Sequence, residues 1–285
     1  MSTQVTTAFA QQFSANVTLL SQQMGSRLRG AIREESLTGE KGFFDQVGSV
    51  AAVKRTSRHG DTPLVETPHS RRMVTMVTYE WADLIDDADR VQMLIDPTST
   101  YAQAAASAIG RAMDDEIITA ATGTSLSGKT GSTSTSISNS IAHGSADLTV
   151  AKILQAKELL DEGDVDPSIN RYFAVAPDQI TALLNTTEVK SSDYNTVKAL
   201  AQGQLDSFCG FKFIVSNRLS VASSIRECFA WAEDGILLAM GKDTMARIEE
   251  RADKSYSTQV YYCASFAATR MEESKVVRVY ADESA

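Results

Sequence analysis

Histidine is nearly missing from this chain: His59, His69 and His143 are all it has, and none stands at HxxxH or HExxH spacing. A zinc site would need ligands gathered from distant parts of the sequence. Cysteine is as scarce. Cys209, Cys228 and Cys263 are odd in number and widely separated, with no CxxC pair. That argues against a disulfide framework or a metal ribbon, and for reduced, small core residues of a cytosolic protein. No window approaches the roughly 18 consecutive apolar residues of a membrane span. The first residues, MSTQVTTAFAQQFSANVTLL, have neither the basic start nor the apolar run of a secretion signal, so a soluble protein made where it is used is expected. A basic excess is missing too. The net charge of −9 argues against gripping duplex DNA as the main task, though not against enclosing it. Without a G-x-S-x-G elbow, the serines, aspartates and histidines have no anchor for a hydrolase triad.

What is present is ordinary globular material, 43% hydrophobic and 22% charged over 285 residues, enough for about two lobes with a sizeable core. Residues 7 to 34 carry Phe9, Phe13, Val17, Leu20, Met24, Leu28 and Ile32 at spacings of three or four, the stripe of an amphipathic helix. A stripe this narrow needs something to lie on, either its own subunit or another. From 43 to 73 the texture changes. Two short apolar runs, then Gly60-Asp61-Thr62-Pro63 and Thr67-Pro68, read as a long β-hairpin excursion whose return strand alternates from Val74 to Trp81. Between 54 and 72, Lys54, Arg55, Arg58, Arg71 and Arg72 outnumber Asp61 and Glu66, a local charge of +3. The elbow that follows holds Glu80, Asp83, Asp86, Asp87, Asp89 and Asp96 against Arg90 alone, a local charge of −5. These blocks are either two solvated faces or the two halves of a contact between subunits.

A long Ala-rich helix is expected next, with Asp96 as N-cap and Pro97 at the first helical position. It runs to about Thr122 and would be roughly 39 Å long. Tyr101, Ala105, Ala108, Ile109, Ala112, Met113, Ile117 and Ala120 form its apolar face, and so many alanines imply close approach to a sheet or another backbone. Residues 123 to 147 are rich in Gly, Ser and Thr and read as an exposed, mobile loop. Beyond it the texture is α/β. Helices are expected over 148–162, 178–184 and 194–201, and strands over 171–176, 211–215, 227–232, 246–250, 259–267 and 276–280.

One chemical motif stands out. Gly123 to Thr130 matches G-x-x-x-x-G-K-[ST], the phosphate-binding P-loop. That motif works between a buried strand and a helix that starts at the lysine. Here it follows a helix and precedes Gly131-Ser-Thr-Ser-Thr-Ser, a poor helix opening. The Walker-B-like stretch 229–234 is short and ends in a turn. A P-loop NTPase using Lys129 and Thr130 stays as the enzymatic alternative. Asp114, Asp115 and Glu116 have no pocket context and are expected to be solvated or interface groups rather than paired catalytic carboxylates. No catalytic residue, metal ligand or cofactor follows from the sequence.

Trp81-Ala-Asp-Leu-Ile-Asp-Asp-Ala-Asp, Asp96-Pro-Thr-Ser-Thr-Tyr101 and Gly110-Arg-Ala-Met-Asp-Asp-Glu-Ile-Ile118 resemble tailed-phage major capsid proteins of the Hong Kong 97-type shell fold. Phe43-Phe-Asp-Gln-Val-Gly48, Lys54-Arg-Thr-Ser-Arg-His59 and Thr67-Pro-His-Ser-Arg-Arg72 look like the extended loop of its podovirus-like members. The likeness covers nearly the whole chain, more loosely in the C-terminal half. It implies an α+β subunit with an N-terminal arm (1–40), an extended β-hairpin loop (41–80) and a peripheral domain with a spine helix (81–147). An axial α/β domain (148–220) and C-terminal strands returning to the peripheral domain (221–285) complete it. The function implied is self-assembly into pentamers and hexamers of an icosahedral head around double-stranded DNA, held without sequence-specific contacts. A scaffolding protein, a portal protein and a possible decoration protein would be partners, the site of assembly would be the host bacterial cytoplasm, and no membrane or cofactor is involved. A non-viral shell of the same fold is a further alternative. Some relatives crosslink subunits through a loop lysine and a distant asparagine, and Lys54 alone does not make that pair. Arg55, Arg58, Arg71 and Arg72 against Asp83, Asp86, Asp87 and Asp89 are the expected inter-subunit contacts.

Overall fold

Among the described residues, alternating strands and one long helical period resolve into three sheets and a rod-like helix that lies on one of them. The structure, a computed structural model, describes residues 21–58, 60–85, 98–185 and 207–284. Outside the described residues lie Phe9, Phe13, Val17 and Leu20 of the expected arm helix, His59, Asp86, Asp87 and Asp89. The expected cap Asp96-Pro97 and the helix expected at 194–201 lie there too.

The excursion is a hairpin, as its turn residues demanded. Strand β2 (Lys41–Val47) pairs antiparallel with β3 (His69–Thr75), Lys41 opposite Thr75 and Val47 opposite His69. The return strand does not run unbroken to Trp81. It breaks at Met76, whose N–H is taken by the Glu40 carbonyl at 2.8 Å, and β4 (Val77–Ile85) leaves for a different sheet. The Ser/Thr-rich segment, expected as an exposed loop, instead extends the hairpin sheet. Strands β5 (Ser125–Ser127) and β6 (Thr133–Thr135) add to β3 in the order β2-β3-β5-β6. Short β7 (Ser140–Ile141) follows, and Ser125, Ile137 and Ile141 are buried. Small hydroxylated residues suit close strand packing as well as loops, which is why composition misled.

The helix α1 spans Thr98–Thr122, 25 residues and about 37 Å. Ala105, Ile109, Met113 and Ile117 are buried at its core face, as the pattern required. It lies on the peripheral sheet, ordered β1 (Arg33–Ser36), β13 (Ile236–Arg251), β14 (Ser257–Arg270), β4. Tyr79 on β4 stacks on Phe266 of β14 at 4.8 Å beneath it. Strand β13 is far longer than its alternating piece at 246–250 suggested. Its first four residues, Ile236–Ala239, are all buried, so period two is invisible there.

The α/β sheet runs β7, β15 (Val276–Asp282), β12 (Ile225–Ala232), β8 (Arg171–Val175), β10 (Phe211–Val215), β9 (Ser207–Phe208), with β11 (Val221–Ala222) on β12. Helices α2 (Val150–Glu162, capped by Thr149) and α3 (Pro177–Asn185) belong to this lobe. Residues 221–285 therefore do not return to the peripheral lobe as one block. Strands β12 and β15 join the α/β sheet, while β13 and β14 form the long peripheral hairpin. One hydrophobic core runs through both lobes, and Phe173, Phe229, Trp231 and Phe266 all belong to it.

The described part of the arm is extended, not helical. It bends across α1, makes a single 3-10 turn at Arg29–Ala31 and enters β1, parallel to β13. Leu28, Ala31 and Ile32 are buried in the main core, and the Trp231 indole N–H donates to the Ala31 carbonyl at 2.9 Å. So residues 21–36 lie on their own subunit. The spacing of Leu28 and Ile32 fits a helix, but only the single 3-10 turn Arg29–Ala31 lies between them, and from Ile32 the chain is extended into β1.

Candidate assembly surfaces

Residues 48–58 and 60–68 belong to the tip of the hairpin and have no regular secondary structure. Its neck is closed by the Gly48 N–H on the Pro68 carbonyl at 2.9 Å. Val50, Val53 and Val65 are exposed there, and Leu64 is 98% exposed, a strong departure from where large apolar side chains settle in a finished surface. Among the described residues, Lys54 and Arg58 have no ion-pair partner, and Arg55 bonds only the nearby Ser57 carbonyl at 2.7 Å.

The other expected contact residues divide sharply. Arg71 stands opposite Asp45 in the ladder, binds it at 2.6 Å and lies over the Phe43 ring. Its guanidinium holds the Asp45 carboxyl below the usual carboxylate range. Arg72, on the other face, is buried. It binds Glu273, donates to the Met271 carbonyl at 2.8 Å and to the Ser125 hydroxyl at 3.1 Å. Asp83 is exposed on β4 and accepts only from the Leu84 N–H, at 2.8 Å.

Glu273 is shared. Arg270, 0% exposed, meets it at 3.4 Å from the opposite side. The Arg270 guanidinium also donates to the carbonyls of Ala121 at 3.1 Å and Gly123 at 2.8 Å. These are carbonyls at the end of α1 that have no partner within the helix, and a cation there also complements the helix dipole. Burial pushes the Arg270 pKa down, opposed by Glu273, and an arginine stays charged regardless. The base of the hairpin, the end of α1 and the end of β14 thus meet at one buried Arg–Glu–Arg cluster. Beside it, Leu37, Phe44 and Val74 pack on Ala239 and Ala267 in a small second core.

The acidic run at the middle of α1, expected to be solvated or at an interface, holds three separate elements. Successive residues on a helix point about 100° apart, so each acid faces a different neighbour. Asp114, wholly buried, accepts from the Gln23 side chain and the Ser26 hydroxyl, both at 2.5 Å, and from the backbone N–H groups of Arg27 and Leu28 at 3.1–3.2 Å. Asp115 takes a two-pronged bond from Arg218, on the turn after β10. Glu116 accepts from the Tyr79 hydroxyl of β4. One sequence signal could have found this. Gly110 sits inside an Ala-rich helix one turn before Asp114, and a Cβ on it would lie 2.5 Å from the Gly25 carbonyl carbon. A glycine that weakens a helix marks a place where another backbone crosses.

The P-loop reading does not survive the geometry. Gly123 closes a helix, Ser125–Ser127 is a strand, and Gly128 (φ +91°) and Gly131 (φ +70°) turn the chain into another strand. Among the described residues no helix starts at Lys129, so the motif lacks the helix N-terminus that a phosphate cradle needs. Among the described residues no group of His, Cys, Asp and Glu is arranged to hold a metal ion.

A rod-like helix on a long-stranded sheet, an α/β lobe and a hairpin thrust from their junction define the shell-building fold of the Hong Kong 97 type. Solved capsids share it over nearly the whole chain. The capsid structure of Cyanophage P-SCSP1u is 16% identical, with a TM-score of 0.75 over 97% of this chain and 94% of its own. The acid-stable capsid of Helicobacter pylori bacteriophage KHP30 is 10% identical, with a TM-score of 0.77 over 99% and 97%. The capsid of Ralstonia phage GP4 is 10% identical, with a TM-score of 0.74 over 96% and 95%. No curated protein matches the chain. Residues 5–283 match the phage capsid protein family, and the chain belongs to it, as a structural subunit of the bacteriophage head.

Proposed function

We propose that the subunit closes an icosahedral head, as pentamers and hexamers around double-stranded DNA, by lapping the tip of its hairpin over a neighbouring copy. The observation that carries this is Leu64, left 98% exposed with Val50, Val53 and Val65 on a subunit that has a complete core elsewhere. Covering such a patch on a neighbour stabilises by roughly 25 cal/mol per Å² of apolar area removed from water. Each contact is modest, and repetition around closed rings makes the shell cooperative.

Register is set by charge. Arg71 and Arg72 are engaged inside the subunit, so Lys54, Arg55 and Arg58 are the cations free to meet Asp83, Asp86, Asp87 and Asp89 of a neighbour. The α/β lobe would meet its copies at the five-fold and six-fold axes, with assembly in the host bacterial cytoplasm. A scaffolding protein and a portal protein, with or without a decoration protein, would share that assembly. A net charge of −9 suits a container that encloses DNA without reading it.

Electron microscopy of the purified chain, alone and with a scaffold, tests this. Wild type should give uniform shells or curved sheets. Arg55→Glu with Arg58→Glu should give a folded subunit that does not close shells. Normal shells from that variant would overturn the register, and a wild-type monomer under both conditions would overturn the lapping.

A further inference from the structure

The chain passes between its two lobes twice in the C-terminal half, and the two passages are tied together. The first is the 3-10 turn Glu233–Gly235, between β12 of the α/β sheet and β13 of the peripheral sheet. The second is residues 271–275, between β14 and β15. The Met271 N–H donates to the Gly235 carbonyl at 2.9 Å. Lys275 binds Asp234 at 2.7 Å and Glu272 at 3.1 Å. Gly235 leaves room for nothing more, since a Cβ there would lie 2.8 Å from the Cβ of Lys275.

The hairpin base is keyed to this same pair of passages. The Met271 carbonyl accepts from Gln46 of β2 and from Arg72 of β3, both at 2.8 Å. Glu273 takes Arg72, the Ser125 hydroxyl at 3.2 Å and Arg270, which in turn grips the end of α1. A carboxylate between two buried guanidiniums cannot yield one without stranding its charge. Such a cluster therefore moves as a unit or breaks as a unit.

We propose that Glu273 is the positioning residue that couples the direction of the hairpin to the angle between the two lobes. A turn of the α/β lobe is transmitted through 271–275 into β2, β3 and β5, so the lapping loop is re-aimed whenever the lobes reorient. This rests on the lapping reading for its purpose in the shell. The coupling itself is a property of the isolated chain.

The test is amide hydrogen exchange on the unassembled chain, with Lys275→Met and Glu273→Gln. Among the described residues, Lys275 has no hydrogen bond or ion pair to β2, β3 or β5, so a merely local role would confine the effect of its loss to residues 232–236 and 271–276. The coupling requires exchange in β3 to rise at least tenfold as well, and unchanged β3 protection in Lys275→Met would overturn it. Glu273→Gln should raise exchange on both sides tenfold or more and slow shell formation, read by light scattering, by a similar factor. If Glu273→Gln does not fold, Lys275→Met alone decides. Because exchange is read before assembly, a failure of the lapping reading leaves this outcome intact.

Discussion

Replacing Gly110 by alanine sets two effects of known size against each other. In a helix interior, alanine is favoured over glycine by about 1 kcal/mol. Helix propensity alone therefore expects Gly110→Ala to stabilise the subunit. The structure expects the opposite. The new Cβ would stand 2.5 Å from the Gly25 carbonyl carbon, 2.6 Å from its Cα and 2.7 Å from the Ser26 nitrogen. Carbon contacts settle at about 3.5–4.0 Å, so the crossing segment must retreat by roughly 1 Å. Asp114 is one turn further along the same face and holds that segment through bonds of 2.5–3.2 Å, which cannot all survive such a shift. A buried backbone donor left without a partner costs about 1–3 kcal/mol, which applies in full to the Leu28 N–H and only in part to the half-buried Arg27 N–H. Pulling Leu28 and Ile32 from the core costs about 1.5–3 kcal/mol each in the limit of full exposure. With partial retreat and the helix gain subtracted, Gly110→Ala should destabilise by about 3 kcal/mol. Urea unfolding of the unassembled chain reads the total, and hydrogen exchange at residues 26–32 locates it. Asp114→Ala should loosen the same segment, and the double variant should cost less than the two singles together. A Gly110→Ala protein as stable as wild type, with residues 26–32 still protected, would refute the reasoning.

Two further outcomes follow from the α/β lobe. The Lys152 ammonium is buried and shares its three N–H donors among four backbone carbonyls, those of His143, Ala146, Asp147 and Tyr280, at 2.7–3.0 Å. Burial pushes its pKa down, against Asp147 and Asp282. Lys152→Met keeps the stem but strands those carbonyls, so a loss of about 2–3 kcal/mol is expected in urea unfolding, and a change under 0.5 kcal/mol would count against the clamp. At the end of β15, Arg226 holds the Glu283 carboxyl below the usual range, and the Ser284 hydroxyl and N–H do the same for Asp282. Carboxyls lowered by folding stabilise above the unfolded pKa of about 4 and lose that contribution as pH falls through their folded values. Stability should therefore decline below pH of about 4. Arg226→Gln should make that decline shallower while lowering stability at neutral pH, and an unchanged acid slope would discount the pair.

Much of the architecture was legible because local periods report local structure. The run from Pro97 to Thr122 alternated apolar and polar residues at 3.6, and α1 lies there within a residue. Gly60, Pro63 and Pro68 marked the excursion, and β2 and β3 pair on either side of it. Patterns failed where two explanations share one composition. The Ser/Thr-rich segment reads equally as loop or as close-packed strand, and only pairing with β3 makes it β5 and β6. Arg55 and Arg72 look alike in a basic stretch, yet one bonds only the nearby Ser57 carbonyl on the exposed tip and the other is buried on Glu273.

The sequence by itself determined the long helix, the hairpin, most strands of the α/β part and the acidic balance. Those depend on propensity, periodicity and composition, which act over a few residues. Only the tertiary structure decided what each charge does. Arg72 and Glu273 are 201 residues apart, and Gln23 and Asp114 are 91 apart. No local pattern encodes such a meeting, because a buried ion's partner is fixed by which surfaces the packed core brings together. The same holds for the sheets. β12 and β13 are separated by three residues, yet they enter different sheets, since strand pairing is settled by the partner's register and not by the strand's own letters.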